Sequence, residues 1–147
     1  MPDLVQYRAH VLKMAQLADV LKASDEDLET LGFEGVAIGE SARLVRELRA
    51  NAAPGSLSRI ALTFGGDGAY LDIDRQHHSG PVPRITVADT VGAGDTFWGN
   101  TLADWALQPA DAAARVGDTL ALSMKAAAIN CTRQGCQPPT LAEVLAF

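Results

Sequence analysis

Apolar positions along the chain recur at two different spacings, and the changes of spacing mark its elements. Over residues 4–20, Leu4, Val5, Val11, Leu12, Ala15 and Leu17 recur at three- and four-residue intervals, the pattern of an amphipathic helix packed on a sheet. The short apolar run 18–21 predicts entry into that sheet. Ser24-Asp25-Glu26-Asp27 reads as a helix N-cap with carboxylates in the first turn, where they complement the positive end of the helix dipole, and Gly32 ends that helix. A second helix is predicted over 40–49, with Leu44, Val45 and Leu48 on one side and Ala53-Pro54-Gly55 closing it.

The period then shortens. Residues 59–64 form a compact apolar run that predicts a buried strand, Gly65-Gly66-Asp67-Gly68 a turn, and 69–73 a second strand paired with the first as a hairpin. His77-His78 and Pro81-x-Pro83 fall in another hairpin or loop, after which 84–87 resumes extended structure. Residues 95–107 and 111–130 are two helical stretches. The second is rich in Ala and Leu along one broad face, as expected for a helix covering a parallel sheet. Pro138-Pro139 blocks its continuation and 141–147 reads as a short final helix. Helices alternating with buried strands make an α/β layered domain, with residues 1–147 as one unit.

Composition narrows the function classes. Apolar residues are 48% and charged residues 20%, ordinary usage for a folded domain, and 147 residues suffice for one core. No apolar run is long enough to cross a bilayer, and Met1-Pro2-Asp3 is not followed by a signal-peptide core, so a cytoplasmic location is expected. A net charge of −6 argues against nonspecific nucleic-acid binding. Any anionic ligand must therefore be held by local geometry. Cys131 and Cys136 stand as C-x4-C with no second pair, which reads as two reduced structural thiols. His77 and His78 point to opposite faces if on a strand and read as a solvated hairpin, while Trp98 and Trp105 share a helix face and read as packing.

One segment carries chemistry. In Gly92-Ala93-Gly94-Asp95 two glycines flank a small residue at the amino end of a predicted helix, so backbone N–H groups can turn toward one point and form an anion hole. Phosphoryl transfer asks for little more than such donors and a carboxylate that takes the acceptor's proton, and Asp95 is the only carboxylate in the turn. Taken by itself, the same string also fits a tight turn in which Asp95 merely caps the helix.

The surrounding string Asp89-Thr90-Val91-Gly92-Ala93-Gly94-Asp95-Thr96-Phe97-Trp98-Gly99 resembles the second signature of the PfkB (ribokinase-like) carbohydrate kinases. Three further segments resemble the family in the same order. They are 21–28, closest to its fructokinase version, then Thr63-Phe64-Gly65-Gly66-Asp67-Gly68, like its Thr-x-Gly-x-x-Gly loop, and Asn130-Cys131-Thr132-Arg133-Gln134-Gly135, like the loop closing over the adenine side. The likeness covers nearly the whole chain. It implies a ribokinase-like three-layer fold, a Rossmann-like parallel sheet with helices on both faces, of which this is the carboxy-terminal, ATP-binding portion.

By that resemblance Asp95 is the general base and the backbone N–H groups of Gly92, Ala93 and Gly94 are the anion hole. Ser24, Thr63, Gly65, Gly68 and Asn130 match nucleotide-site positions. Asp89 and the carbonyl of Val91, with carbonyls near Asn130, Arg133 and Gly135, match positions that hold a monovalent cation, K+, in many members. The implied activity is ATP- and Mg2+-dependent phosphorylation of a sugar hydroxyl, fructose by the flavour of 22–28 and Pro138-Pro139. The sequence departs from the family where Ser24-x-x-Asp27 replaces the Asn-x-x-Glu pair that organises magnesium, and where Asn100 and Thr101 replace a small and an apolar residue.

Family members are about twice this length, and their amino-terminal half supplies sugar contacts and a β-sheet lid. Neither is expected here, and Met1 reads as a truncated or mis-started beginning. A sheet cut in this way predicts an exposed edge and self-association, most simply as a dimer. Two readings stay open: a sugar kinase, or a nucleotide-binding fragment without turnover.

Overall fold

The structure, a computed structural model, describes residues 3–147. Helix α1 (Leu4–Ala15) is capped by Asp3 and leads into strand β1 (Val20–Ser24). Two helices follow, α2 (Asp25–Thr30) and α3 (Ser41–Ala50), before β2 (Arg59–Thr63), β3 (Ala69–Ile73) and β4 (Gln76–Gly80). The chain then crosses to the long helices α4 (Ala93–Leu107) and α5 (Val116–Cys131) and ends in α6 (Leu141–Ala146).

The sheet order is β1-β2-β3-β4, with β1 and β2 parallel and the other two pairs antiparallel. The expected parallel sheet is therefore mixed. A parallel pair needs a crossover, which α2 and α3 provide between β1 and β2, whereas the turns at 64–68 and 74–75 are too short for anything but hairpins.

Every residue of β3 is buried, and alternation along the strands divides the apolar side chains between two faces. Ile60, Leu62 and Tyr70 pack with Leu28 of α2 and Leu44, Val45 and Leu48 of α3. Ala61, Leu71 and Ile73 pack with Phe97 and Trp105 of α4 and Leu120 and Met124 of α5. This is the three-layer arrangement expected, with helices on both sides of one sheet.

Four local differences from the sequence reading have physical causes. Helix α1 stops at Ala15, and half of the expected apolar face is open: Leu4, Val5 and Leu17 are half-exposed or more, while Val11, Leu12 and Ala15 turn inward. Residues 84–87 form no strand, because Pro81 and Pro83 lack N–H groups for a ladder beyond the end of β4. Helix α4 begins at Ala93, two residues earlier than expected, which draws Ala93 and Gly94 into its first turn. Helix α5 starts only at Val116, after a short 3-10 turn at Pro109–Asp111. Trp98 and Trp105 meet edge to face with centroids 5.6 Å apart, and the Arg59 guanidinium covers Trp105. His77 and His78 are exposed on β4, and among the described residues no group of three or more His, Cys, Asp or Glu is arranged for a metal.

Candidate active site

Register across the sheet sets out the site. Ser24 pairs with Thr63, Thr63 with Ala69 and Ala69 with Gly80, so four strand ends stand in one row. Carboxyl ends of parallel strands are where open α/β sheets bind ligands. Gly68 makes the corner between two of them with φ 114°, and a Cβ there would lie 2.1 Å from the Gly80 carbonyl oxygen. Only glycine lets β4 close on this corner.

Over the row lies a cleft of 360 Å³. It brings together Ser24, Thr63, Gly65 and Gly68 from the sheet end and Ala93 and Gly94 from the first turn of α4. Phe97, Met124 and Ala127 form an apolar wall on one side.

The first turn of α4 holds the donors. Gly92 is in the left-handed conformation, φ 76°, and a Cβ on it would meet Cys136 Sγ at 2.2 Å. The Ala93 N–H donates to the Thr90 carbonyl at 3.1 Å, and the first helical bond runs from Thr96 N–H to the Gly92 carbonyl at 2.9 Å. Among the described residues the N–H groups of Gly92, Gly94 and Asp95 find no protein acceptor. The expected donor trio Gly92-Ala93-Gly94 is thus changed at one member: Ala93 closes the turn, and the Asp95 N–H takes its place among the unpaired donors.

Lys22, which motif matching did not select, also lines the cleft, and its Nζ lies 3.8 Å from where a Gly94 Cβ would stand. Its sequence signal was a lone lysine inside the apolar strand Val20-Leu21-Lys22-Ala23, whose cation had to end somewhere polar. Thr90 is a second lining residue missed in this way.

Asp27, facing Lys22 at 4.0 Å, is turned to the helix cap. Its Oδ2 accepts from the Ser24 N–H at 2.8 Å and from Ser24 Oγ at 2.9 Å, while the Asp27 N–H donates back to Ser24 Oγ at 3.1 Å. Desolvation works to raise its carboxyl, but the two Ser24 hydrogen bonds and Lys22 outweigh it and hold the group below its ordinary value.

Asp95 itself opens onto a neighbouring cleft of 280 Å³, with Asn100, Cys136, Pro138 and Pro139. It is exposed and its carboxylate makes no hydrogen bond or ion pair among the described residues. One helical turn thus presents unpaired N–H groups toward one cleft and a free carboxylate toward the other.

The residues matched to a cation site form a third group behind the turn. Asp89 Oδ1 accepts from the Val91 N–H at 3.0 Å and Oδ2 from the Gly135 N–H at 2.8 Å. These two N–H groups, the first the larger contribution, hold the Asp89 carboxyl below its usual range. The Val91 carbonyl accepts from Asn130 Nδ2 at 2.8 Å, and Asn130 Oδ1 accepts from the Gln137 N–H at 2.8 Å. Asn130 is fully buried and lines neither cleft; it ties the α5 end to the signature loop. The Arg133 guanidinium points away to Glu143. Carboxylate and carbonyl oxygens keep lone pairs beyond these bonds, so a monovalent cation fits beside them only by sharing. Cys131 is half-buried and Cys136 exposed, both free thiols.

Comparison with known proteins covers almost the whole chain. The profile of the pfkB family carbohydrate kinase matches residues 1–143. A fructokinase of Rhizobium leguminosarum bv. trifolii is 35% identical over 101 residues, 69% of this chain and 28% of its own length. The crystal structure of a fructokinase with bound ATP from Xylella fastidiosa superposes with a TM-score of 0.71 at 28% identity, covering 95% of this chain and 45% of that one. A fructokinase double mutant from Vibrio cholerae O395, in a fructose, ADP and potassium ion bound form, shares the fold with a TM-score of 0.74 at 24% identity, over 99% of this chain and 46% of that one. The chain spans less than half the length of these relatives.

Proposed function

Because the chain belongs to the pfkB family of carbohydrate kinases, we propose that it is the nucleotide-binding portion of an ATP-dependent kinase that phosphorylates a sugar hydroxyl, with fructose the favoured substrate. The observation that carries this is the first turn of α4: unpaired N–H groups at Gly92, Gly94 and Asp95 beside the Lys22 ammonium, with the Asp95 carboxylate free on the next cleft. Such an arrangement favours charge on a transferring phosphoryl group and leaves a base for the hydroxyl proton.

ATP supplies the γ-phosphoryl group and Mg2+ offsets the charge of its phosphates. In the 360 Å³ cleft, Thr63, Gly65 and Gly68 bound the phosphate path, and Phe97, Met124 and Ala127 offer an apolar wall for a planar base. Asp95 accepts the sugar hydroxyl proton as the new O–P bond forms and the bond to ADP breaks. Mg2+ would be held chiefly through phosphate oxygens and water, which suits an ion that sheds its waters reluctantly. Asp25 and Glu26 on the cleft rim supply carboxylates for such water contacts. The oxygens of Asp89 and Val91 are the candidate seat for K+.

A second reading is favoured by the openness of Asp95: the chain by itself binds nucleotide without turnover, since nothing among the described residues excludes water from that carboxylate. One pair of measurements separates the two. Melting with and without Mg-ATP reports binding, and coupled ADP release on fructose, ribose and 2-keto-3-deoxygluconate reports transfer. ATP stabilisation with sugar-dependent ADP supports the kinase reading for this chain, stabilisation alone supports the second, and neither signal removes both. Where turnover is present, Asp95→Asn is expected to lower it by about 10²–10⁴-fold while the ATP-induced shift persists. Unchanged turnover in that variant would remove Asp95 from its role.

A further inference from the structure

On the sheet face away from α4 and α5, helix α3 and the β3–β4 hairpin enclose a cleft of 420 Å³, within the size range of small-molecule sites. It shares no lining residue with either cleft of the candidate active site. Its floor is Tyr70, on which His77 stacks with ring centroids 5.5 Å apart. At the back, Asp72 is 3% exposed and its Oδ1 accepts from Arg49 Nη2 at 2.6 Å and from the Arg75 N–H at 3.1 Å. Asp72 thereby neutralises Arg49.

Two cations remain. Arg46, from α3, and Arg75, from the hairpin turn, are exposed at this cleft and make no ion pair among the described residues. The chain as a whole carries a net charge of −6, so three guanidiniums around one carboxylate reverse the local sign. Burial, with Asp72 beside it, pushes the Tyr70 hydroxyl up to about 12, so the floor stays neutral with its hydroxyl directed to Asp72. An adjoining cleft shares Arg49 and Arg75 and is lined by Leu57, Asp74 and Arg75, the non-glycine residues with positive φ among those described, at 54°, 50° and 71°. Asp74 is the one carboxylate on that side. The left-handed turn fixes the direction in which the Arg75 side chain leaves the hairpin.

We propose that this cleft binds a small multivalent anion of the phosphorylated-metabolite class, gripped by Arg46 and Arg75 with its organic part against the Tyr70–His77 pair. Guanidinium forks are suited to phosphate oxygens, and the concave, bounded shape fits a small molecule instead of an extended polyanion. Strand β3, which carries Tyr70 and Asp72, starts at the Gly68 corner of the nucleotide cleft, so an occupant here touches the same element.

The probe is inorganic pyrophosphate, titrated calorimetrically into the native chain, into Arg46→Gln/Arg75→Asn and into Lys22→Ala. Asn tolerates the left-handed conformation at position 75, and both arginines are exposed, so the double variant keeps the fold. Binding that survives Lys22→Ala and weakens at least about tenfold in Arg46→Gln/Arg75→Asn is the expected result. Absence of binding to the native chain, retention in the double variant, or loss with Lys22→Ala overturns the proposal.

Discussion

Gly68 is held at φ 114° with the Gly80 carbonyl in the place a side chain would take, so Gly68→Ala meets both a strained backbone and a backbone obstacle that cannot swing away. The φ penalty alone is about 1–3 kcal/mol, and urea unfolding should show at least that loss together with a weaker ATP-induced melting shift. Lys22→Ala acts differently at the same cleft: its effect should fall on nucleotide affinity, about tenfold, with little change in melting without ligand. Asp89 shows how a residue read as a cation ligand also works as a structural tie, through its bonds to the Val91 and Gly135 N–H groups. Its folded carboxyl is depressed below the ordinary 3.8, so its stabilising share is complete above that pH and is lost as the pH falls through the lower folded value. Asp89→Asn should therefore lower the melting temperature at pH 7, with the gap to the native chain closing only in acid below the ordinary carboxyl range. A melting series against pH in which the gap stays constant would remove the charge from this account. The turn at 92–94 and its place at the start of α4 were legible because turn chemistry is local, whereas Lys22 reaches Gly94 only through the fold.

Among the elements, α2 depends most visibly on its cap. Ser24 and Asp27 form a reciprocal capping box on a helix of six residues, and Asp27 is not among the residues that line the cleft. Ser24→Ala should cost about 1 kcal/mol, read by chemical unfolding. Helix α3 is fastened to the sheet by Arg49, which donates to the Leu57 and Ser58 carbonyls and to Asp72. Both partners are largely buried, at 17% and 4% side-chain exposure, so Arg49→Met takes the charge partner from the Asp72 carboxylate and the side-chain donor from the Leu57 carbonyl, while the Arg75 and Asp74 N–H groups still donate to Asp72 and Ser58. A loss of about 3 kcal/mol is expected. The cap was readable in Ser24-Asp25-Glu26-Asp27, but nothing in the spacing of Arg49 and Asp72 announced their pairing. They lie on separate elements, and only the docking of α3 over β3 makes them neighbours.

At the scale of the whole molecule, the two edges of the sheet differ. Strand β4 presents Gln76, His77, His78 and Ser79, a polar rim that discourages further pairing, while β1 has a free side that carries exposed Val20, and the preceding α1 segment adds exposed Leu4, Val5, Met14 and Leu17. Light scattering is expected to give a mass above that of one chain, falling toward it in Val5→Lys/Leu17→Lys. A strictly monomeric native chain would contradict this. The amino-acid sequence by itself determined most of the elements and their order, the cap at Ser24, and the glycine turn that opens α4 at 92–94. Those features depend on interactions within a few residues, and periodicity records them directly. Tertiary structure alone decided that the sheet is mixed and that Lys22, Thr63, Gly68 and Gly94 share a cleft. It also decided that Asp95 opens to its other side, and that Asp89 is tied to a loop 46 positions later. Such pairings follow from which faces become buried against one another, a property of the packed layers that local sequence spacing does not contain.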